Sequence, residues 1–504
     1  MTVFAHLAIL ALLALLTLAY LGQALSLSKE GMVSLLSVAL LLVSLWSLWS
    51  WRIVTGRLFD PYALFLIAAA LFNGGQAFLE LFHLHSRLNE YGILNGIFSP
   101  EIISETLFLV TLGLLAFHAG GLLSVPAFRE KLISKEFGEE SKESTLVTLQ
   151  ALRLIGWGLL AISAVPALLM LKDALAVSVT SGNIGYLGRP DIPQGSGATL
   201  NRVANFIIPG TIFLLAGSRG RRLNIRLSWV VALSFALTLF FVGTRQSGAM
   251  FLLAYAWVYH RTVRPIPKTI LLGVGGLLLF IVFPVVAAFR NVTGAARLSF
   301  DAFLDTFYSI DNPIIASIAE LGYSMITVAY TISRVPHYQD FLLGVSYLYS
   351  LSDVFPNPSS ERRESLELGK WLIQTVDPVN ANLGVYSFGY SFIAEAYANF
   401  GWLFGPLALG IMGFLLGKLV LWADKPADPA RIAMVGAFTG FFLLFARGEA
   451  HHVVRPFVWY ALIPYLGVCA LRPLIRPKFY RRSRRFRSSE EHFEGASSRE
   501  LNEL

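Results

Sequence analysis

Apolar residues run along this chain in long stretches, and polar ones gather in the narrow gaps between them. A hydrocarbon layer about 30 Å thick takes roughly 20 residues of helix to cross, with every backbone N–H and C=O satisfied inside the segment. On that measure the pattern predicts about twelve spans. They lie near Val3 to Gly22, Met32 to Trp51, Pro61 to Phe82, Ile102 to Leu123, Thr148 to Leu171, Asn201 to Ala216, Leu227 to Val242, Ala249 to Tyr259, Ile270 to Ala288, Ser391 to Leu421, Ile432 to Phe445 and Phe457 to Leu471. The eighth is short. The first has no basic stretch before it and no small-residue cleavage site after it, so it is expected to stay as a span. No internal repeat and no inverted pair of interrupted helices stands out. The expected fold class is all-α, a polytopic transmembrane helix bundle.

The gaps differ in charge. With twelve spans, Arg52 and Arg57, then Arg129, Lys131 and Lys135, Arg219 to Arg226, Arg261, Arg264 and Lys268, Lys425 and Arg431, and the tail Arg481 to Arg487 all fall on one side. Cationic loops resist translocation, which makes that side cytoplasmic and places both termini there. The other side receives three larger segments, His83 to Glu101, Lys172 to Leu200 and Phe289 to about Tyr390. In the last, Phe300, Phe303, Phe307 and Ile310 recur at helical spacing, so this external loop is expected to contain helices lying on the membrane surface. Between Pro356 and Pro378 it turns polar. The expected organisation is an N-terminal membrane bundle over 1–288, an external region over 289–390, C-terminal spans over 391–472 and a basic tail over 473–504.

Composition agrees: 55% of residues are hydrophobic and 14% charged, against about a quarter charged in soluble domains. Cys469 is the only cysteine, which excludes an intramolecular disulfide and a thiolate metal cluster. The net charge of +8 would suggest nucleic acid in a soluble protein. Here the basic residues follow membrane sidedness and attraction to anionic lipid, and no nucleic-acid partner is expected.

Ionisable groups at the external ends of spans are costly and are the first candidates for chemistry. Arg245 lies in the tight turn Gly243-Thr244-Arg245-Gln246-Ser247-Gly248; Arg290 follows the ninth span; Arg447 and Arg455 bracket Gly448-Glu449-Ala450-His451-His452. Guanidinium forks grip phosphate oxygens bidentately, so four at one depth suggest a site for a pyrophosphate. Taken singly, each reads equally well as an arginine snorkelling to headgroups. Glu395, among apolar neighbours, is the first candidate for a general base, with Glu320, Glu449, His451 and His452 behind it. No metal site is expected, because adjacent histidines diverge on a helix and no His-Glu-x-x-His spacing occurs. A nucleotide loop is missing too: no Gly-x-x-x-x-Gly-Lys occurs, and Gly273-Val274-Gly275-Gly276 sits inside a span. With no cofactor expected, activation energy has to arrive in the substrate.

The second half of the chain resembles the O-antigen or oligosaccharide repeat-unit polymerase family, the Wzy type. The resemblance rests on Gly243-Thr244-Arg245, on Glu320-Leu321-Gly322, Val335-Pro336, Leu343-Gly344-Val345-Ser346-Tyr347 and Phe355-Pro356, and on Ala446-Arg447-Gly448. Its most distinctive piece is Ser391-Phe392-Ile393-Ala394-Glu395-Ala396-Tyr397-Ala398-Asn399-Phe400-Gly401-Trp402. The resemblance implies a membrane glycosyltransferase that uses undecaprenyl-pyrophosphate-linked oligosaccharides and works beside a flippase and a chain-length co-polymerase. Tyr397 and Asn399 would then face the acceptor. An O-antigen ligase-like enzyme and a lipid-linked glycan transporter remain the alternatives.

Overall fold

The computed structural model describes residues 28–84, 97–125, 142–187, 196–290, 292–310, 312–355, 367–383, 388–424 and 428–475, with a few positions before residue 12. Among these every regular element is helical. Eleven helices are long and apolar enough to cross a membrane. Most of the expected span Val3 to Gly22, the basic groups at 129–135 and 481–487, and the polar stretch at 357–364 lie outside the described residues.

Local chemistry sets the helix boundaries. Asp60 caps Pro61–Leu81 by accepting from the Ala63 N–H, Asp428 caps Pro429–Phe442 in the same way, and each helix begins with a proline. Two π-helical segments, Leu278–Val282 and Phe457–Leu462, each end just before a proline, Pro284 and Pro464. A proline cannot donate back to the preceding turn, so the local hydrogen-bond register slips there. In the first case the freed Leu279 carbonyl accepts from the Ser317 hydroxyl of a neighbouring helix.

The bundle gathers around the crossing of Pro100–Ser124 with 402–424. A Cβ on Gly413 would lie 1.8 Å from the Phe117 carbonyl oxygen, and one on Gly120 1.8 Å from that of Gly410. Small residues let two backbones touch where lipid supplies no hydrophobic drive. Gly413→Ala is expected to force the pair apart at a cost of about 1–3 kcal/mol, read as a lower unfolding midpoint of the detergent-solubilised protein.

Three expectations change. Ser391 to Leu421 is not one straight span. Gly401, at φ 65° and ψ −159°, interrupts Phe392–Asp424, and Gly113 touches both Ile393 and Leu409. Gly405 meanwhile packs on the Ala396 carbonyl. The chain therefore doubles back: 392–400 is a half-helix folded against 402–424, and the latter alone is long enough to cross. Ala249 to Tyr259 belongs to Arg245–Thr262, which is helical but not among the eleven most apolar. Pro313–Arg334, inside the expected external region, does qualify by composition. It is two helices, Pro313–Gly322 and Met325–Arg334, packed in turn on the π-segment at Leu278–Val282, on Pro61–Leu81 and on Pro100–Ser124. A helix that meets its neighbours in sequence lies across them. In addition, the helix from Lys142 continues past Leu171 as far as a break at Gly182, φ 67°, into what was expected to be a loop.

One end of the bundle is basic. Arg57 and Arg261 share Asp424, and Arg431 and Arg472 share Asp428. The candidate site lies at the other.

Candidate active site

Three of the four expected arginines meet. The Gly243 turn ends Arg222–Val242 with a left-handed cap, φ 96°, and starts Arg245–Thr262 at once. Arg245 is thereby buried at the helix start, where Nη1 donates to the Phe283 carbonyl and Nη2 pairs with Glu320. Arg290 Nη1 lies 3.8 Å from the same carboxylate oxygen. Arg447 is close enough to Glu320, Arg245 and Arg290 to interact with their charges, and its Nε would lie 3.3 Å from a Cβ on Gly389. Arg447 makes no hydrogen bond or ion pair with any described residue. Three guanidiniums thus face one carboxylate, and the excess positive charge suits a multiply charged anion.

Arg455 does not join them. It donates through Nε to the Asp353 carbonyl at 2.6 Å and pairs through Nη2 with the Asp353 carboxylate at 2.7 Å. Its role here is to hold the end of Val345–Ser352.

The turn after Arg447 is clamped on several sides. Asn73 donates to the Ala446 carbonyl at 3.0 Å and accepts from the Ser391 hydroxyl at 2.6 Å. Glu449 receives the N–H groups of Leu368 and Gly369, both at 2.7 Å, at the start of Leu368–Val376, where a carboxylate also complements the helix dipole. Burial pushes the Glu449 carboxyl up, but the hydrogen bond and charge of His451, with the Gly369 N–H, outweigh it and hold the group below its ordinary value. Its other oxygen contact is His451 Nδ1 at 3.6 Å. The His451 and His452 rings lie with centroids 3.9 Å apart, tilted by 35°; His452 is the exposed one.

Glu395 closes the clamp. It is 1% exposed, and its two oxygens accept from the Ala450 N–H and the Ser346 hydroxyl, each at 2.8 Å. Asn399, one turn on, donates to Ser346 Oγ and to the Glu395 carbonyl and accepts from the Gly344 N–H. Tyr397 donates to the Val335 carbonyl at 3.1 Å. The Glu-x-Tyr-x-Asn stretch therefore ties the half-helix 392–400 to two segments of the 289–390 region, at Val335 and at Gly344 to Ser346, and to the turn behind Arg447. In this arrangement Tyr397 and Asn399 have their polar groups turned to protein partners.

Sequence reasoning missed three residues that hold these groups. Asn73 had a signal, a polar amide inside an apolar span. Ser346 had none beyond its place in a motif. Arg297, 2% exposed, donates through Nη1 to the carbonyls of Arg290 and Val292 and through Nη2 to that of Phe241. It also lies over the Phe241 and Phe289 rings. Its partners are backbone carbonyls at two helix ends, which no side-chain pattern announces. Arg297→Leu is expected to leave them unsatisfied and cost about 2–4 kcal/mol, seen as a reduced unfolding midpoint.

Among the described residues no group of three or more His, Cys, Asp or Glu is placed to hold a metal ion. No curated protein and no solved structure gives a significant match to the chain. A family model described as O-antigen polysaccharide polymerase Wzy, however, matches residues 3–476, nearly the whole bundle and every residue of the site. On that match the chain belongs to the O-antigen polysaccharide polymerase Wzy family.

Proposed function

We propose that this membrane polymerase joins oligosaccharide repeat units carried on undecaprenyl pyrophosphate, at the external face of the bacterial inner membrane. The observation that carries the reading is the convergence of Arg245, Arg290 and Arg447 on Glu320, with no hydrogen bond or ion pair from the Arg447 side chain to any described residue. Guanidinium forks bind a diphosphate in the ground state and bind it more strongly as charge develops on the leaving oxygen. In the transfer, an acceptor sugar hydroxyl attacks the anomeric carbon of the donor chain and the bond from that carbon to the pyrophosphate breaks. The electron pair leaves with the lipid pyrophosphate. A histidine of the clamped turn takes the hydroxyl proton, His451 being held against Glu449 and His452 being exposed. Glu395 fixes the turn that carries both histidines. Tyr397 and Asn399 act on the acceptor through the segments they hold.

The basic end, with Arg57, Arg261, Arg431 and Arg472, supports a cytoplasmic assignment for that side and for both termini. The arginine cluster then faces outward, where a flippase would deliver lipid-linked repeats and a chain-length co-polymerase would act on the product. Proteoliposomes supplied only with lipid-linked repeat units are expected to produce a ladder of oligomers and to release prenyl pyrophosphate. Transfer seen only with a lipid A core acceptor would make the protein a ligase, and movement of the lipid without a new bond a transporter.

A further inference from the structure

At the basic end, remote from the arginine–glutamate cluster, a cavity of about 300 Å³ opens between helices. Its walls come from Lys142–Leu187, Ile207–Ala216, Arg245–Thr262 and Pro429–Phe442. Leu149 and Ile432 line the apolar floor, while Arg219, Arg261, Arg264 and His260 stand around the rim. Among the described residues no carboxylate lines it.

The charges there do not balance. Arg57 and Arg261 both pair with one oxygen of Asp424, so the two guanidiniums share one ion-pair partner. Arg261 Nε is buried without a hydrogen-bond partner. The Arg219 and Arg264 side chains make no hydrogen bond or ion pair with any described residue. His260 accepts the Ile266 N–H on Nδ1 at 2.9 Å, which leaves its Nε2 as a donor. Two exposed guanidiniums and the buried Arg261 Nε facing one small cavity suit an anion, and the volume is at the low end for a bound ligand, too small for a sugar chain.

We propose that this cavity binds a phosphate-bearing anion, held by Arg219, Arg261 and Arg264 with His260 as an added donor. The apolar floor beneath a cationic rim fits the headgroup of an anionic phospholipid, and basic pockets between membrane helices suit that chemistry. This site is separate from the proposed catalytic one and stands whether or not that reading holds.

The test uses the purified full-length protein in neutral detergent, with the unfolding midpoint followed as phosphatidylglycerol, phosphatidylcholine or inorganic phosphate is added. Phosphatidylglycerol is expected to raise the midpoint and phosphatidylcholine to leave it unchanged. In Arg219→Ala/Arg264→Ala the concentration needed should rise about thirtyfold, at about fivefold for each arginine. Arg222→Ala, at the same end but not in the cavity wall, should respond as the parent does. If millimolar inorganic phosphate reproduces the shift, the anion is free phosphate and the site stands. The proposal is overturned if the two lipids act alike with phosphate inert, or if the double variant responds to phosphatidylglycerol as the parent does.

Discussion

Arg447→Lys is expected to lower polymer formation by about 10²–10³-fold in proteoliposomes fed lipid-linked repeats, the range typical of losing one preorganised donor at a developing oxyanion. Among the described residues Arg245 and Arg290 are drawn to Glu320, while the Arg447 side chain makes no hydrogen bond or ion pair. Its fork is therefore the one free to close on a substrate oxygen pair. Lysine keeps the charge but offers a point contact in place of two parallel N–H donors. Arg245→Lys should recover little activity for a different reason. Arg245 uses one Nη on the Phe283 carbonyl and the other on Glu320, and an ammonium on a shorter, unforked stem cannot reproduce both. A wild-type ladder from Arg447→Lys would mean that the site reads charge alone, and bidentate recognition would be wrong.

Glu395 gives the second large effect, and here two variants separate two roles. Glu395→Ala strips the acceptors from the Ala450 N–H and the Ser346 hydroxyl in a buried place, at about 1–3 kcal/mol for each unsatisfied group. It also frees the turn that carries Arg447 and His452, and a displacement of about 1 Å in a catalytic group can cost about 10²-fold. Glu395→Gln keeps an amide oxygen for Ala450 and an amide N–H that Ser346 Oγ can accept. A positioning role therefore predicts polymerisation within about tenfold of the parent for the glutamine variant, with alanine far lower. If Glu395 itself removed the proton, glutamine would be as inactive as alanine although its unfolding midpoint stayed near the parent's. The ladder and the midpoint, measured on both variants, decide between the two.

The bundle was legible because lipid imposes a simple rule. Every expected span within the described residues is helical, and Arg57 and Arg261, expected on one side, meet at Asp424. Hydropathy counts apolar residues, however, and carries no direction. It ran through Gly401, where one left-handed backbone angle turns a single apparent span into a half-helix folded on a full one. It also had no means of placing Pro313–Arg334, whose apolar face is buried by lying across other helices. For the site, sequence position alone put Arg245, Arg290 and Arg447 at a common depth, and the folded chain gathers them. Arg455 looked identical by the same criterion, and only the Asp353 carboxylate at the end of another helix draws it away. Pairings of that kind depend on tertiary neighbours far apart in the chain.

The central claim is that the arginine cluster is built for a diphosphate. Calorimetric titration of the solubilised protein with a short-chain prenyl pyrophosphate and the matching prenyl monophosphate tests it directly. Tighter binding of the pyrophosphate, weakened in Arg447→Ala and in Arg290→Ala, is the expected result. Equal affinity for the two ligands, or affinity indifferent to both substitutions, would contradict the account.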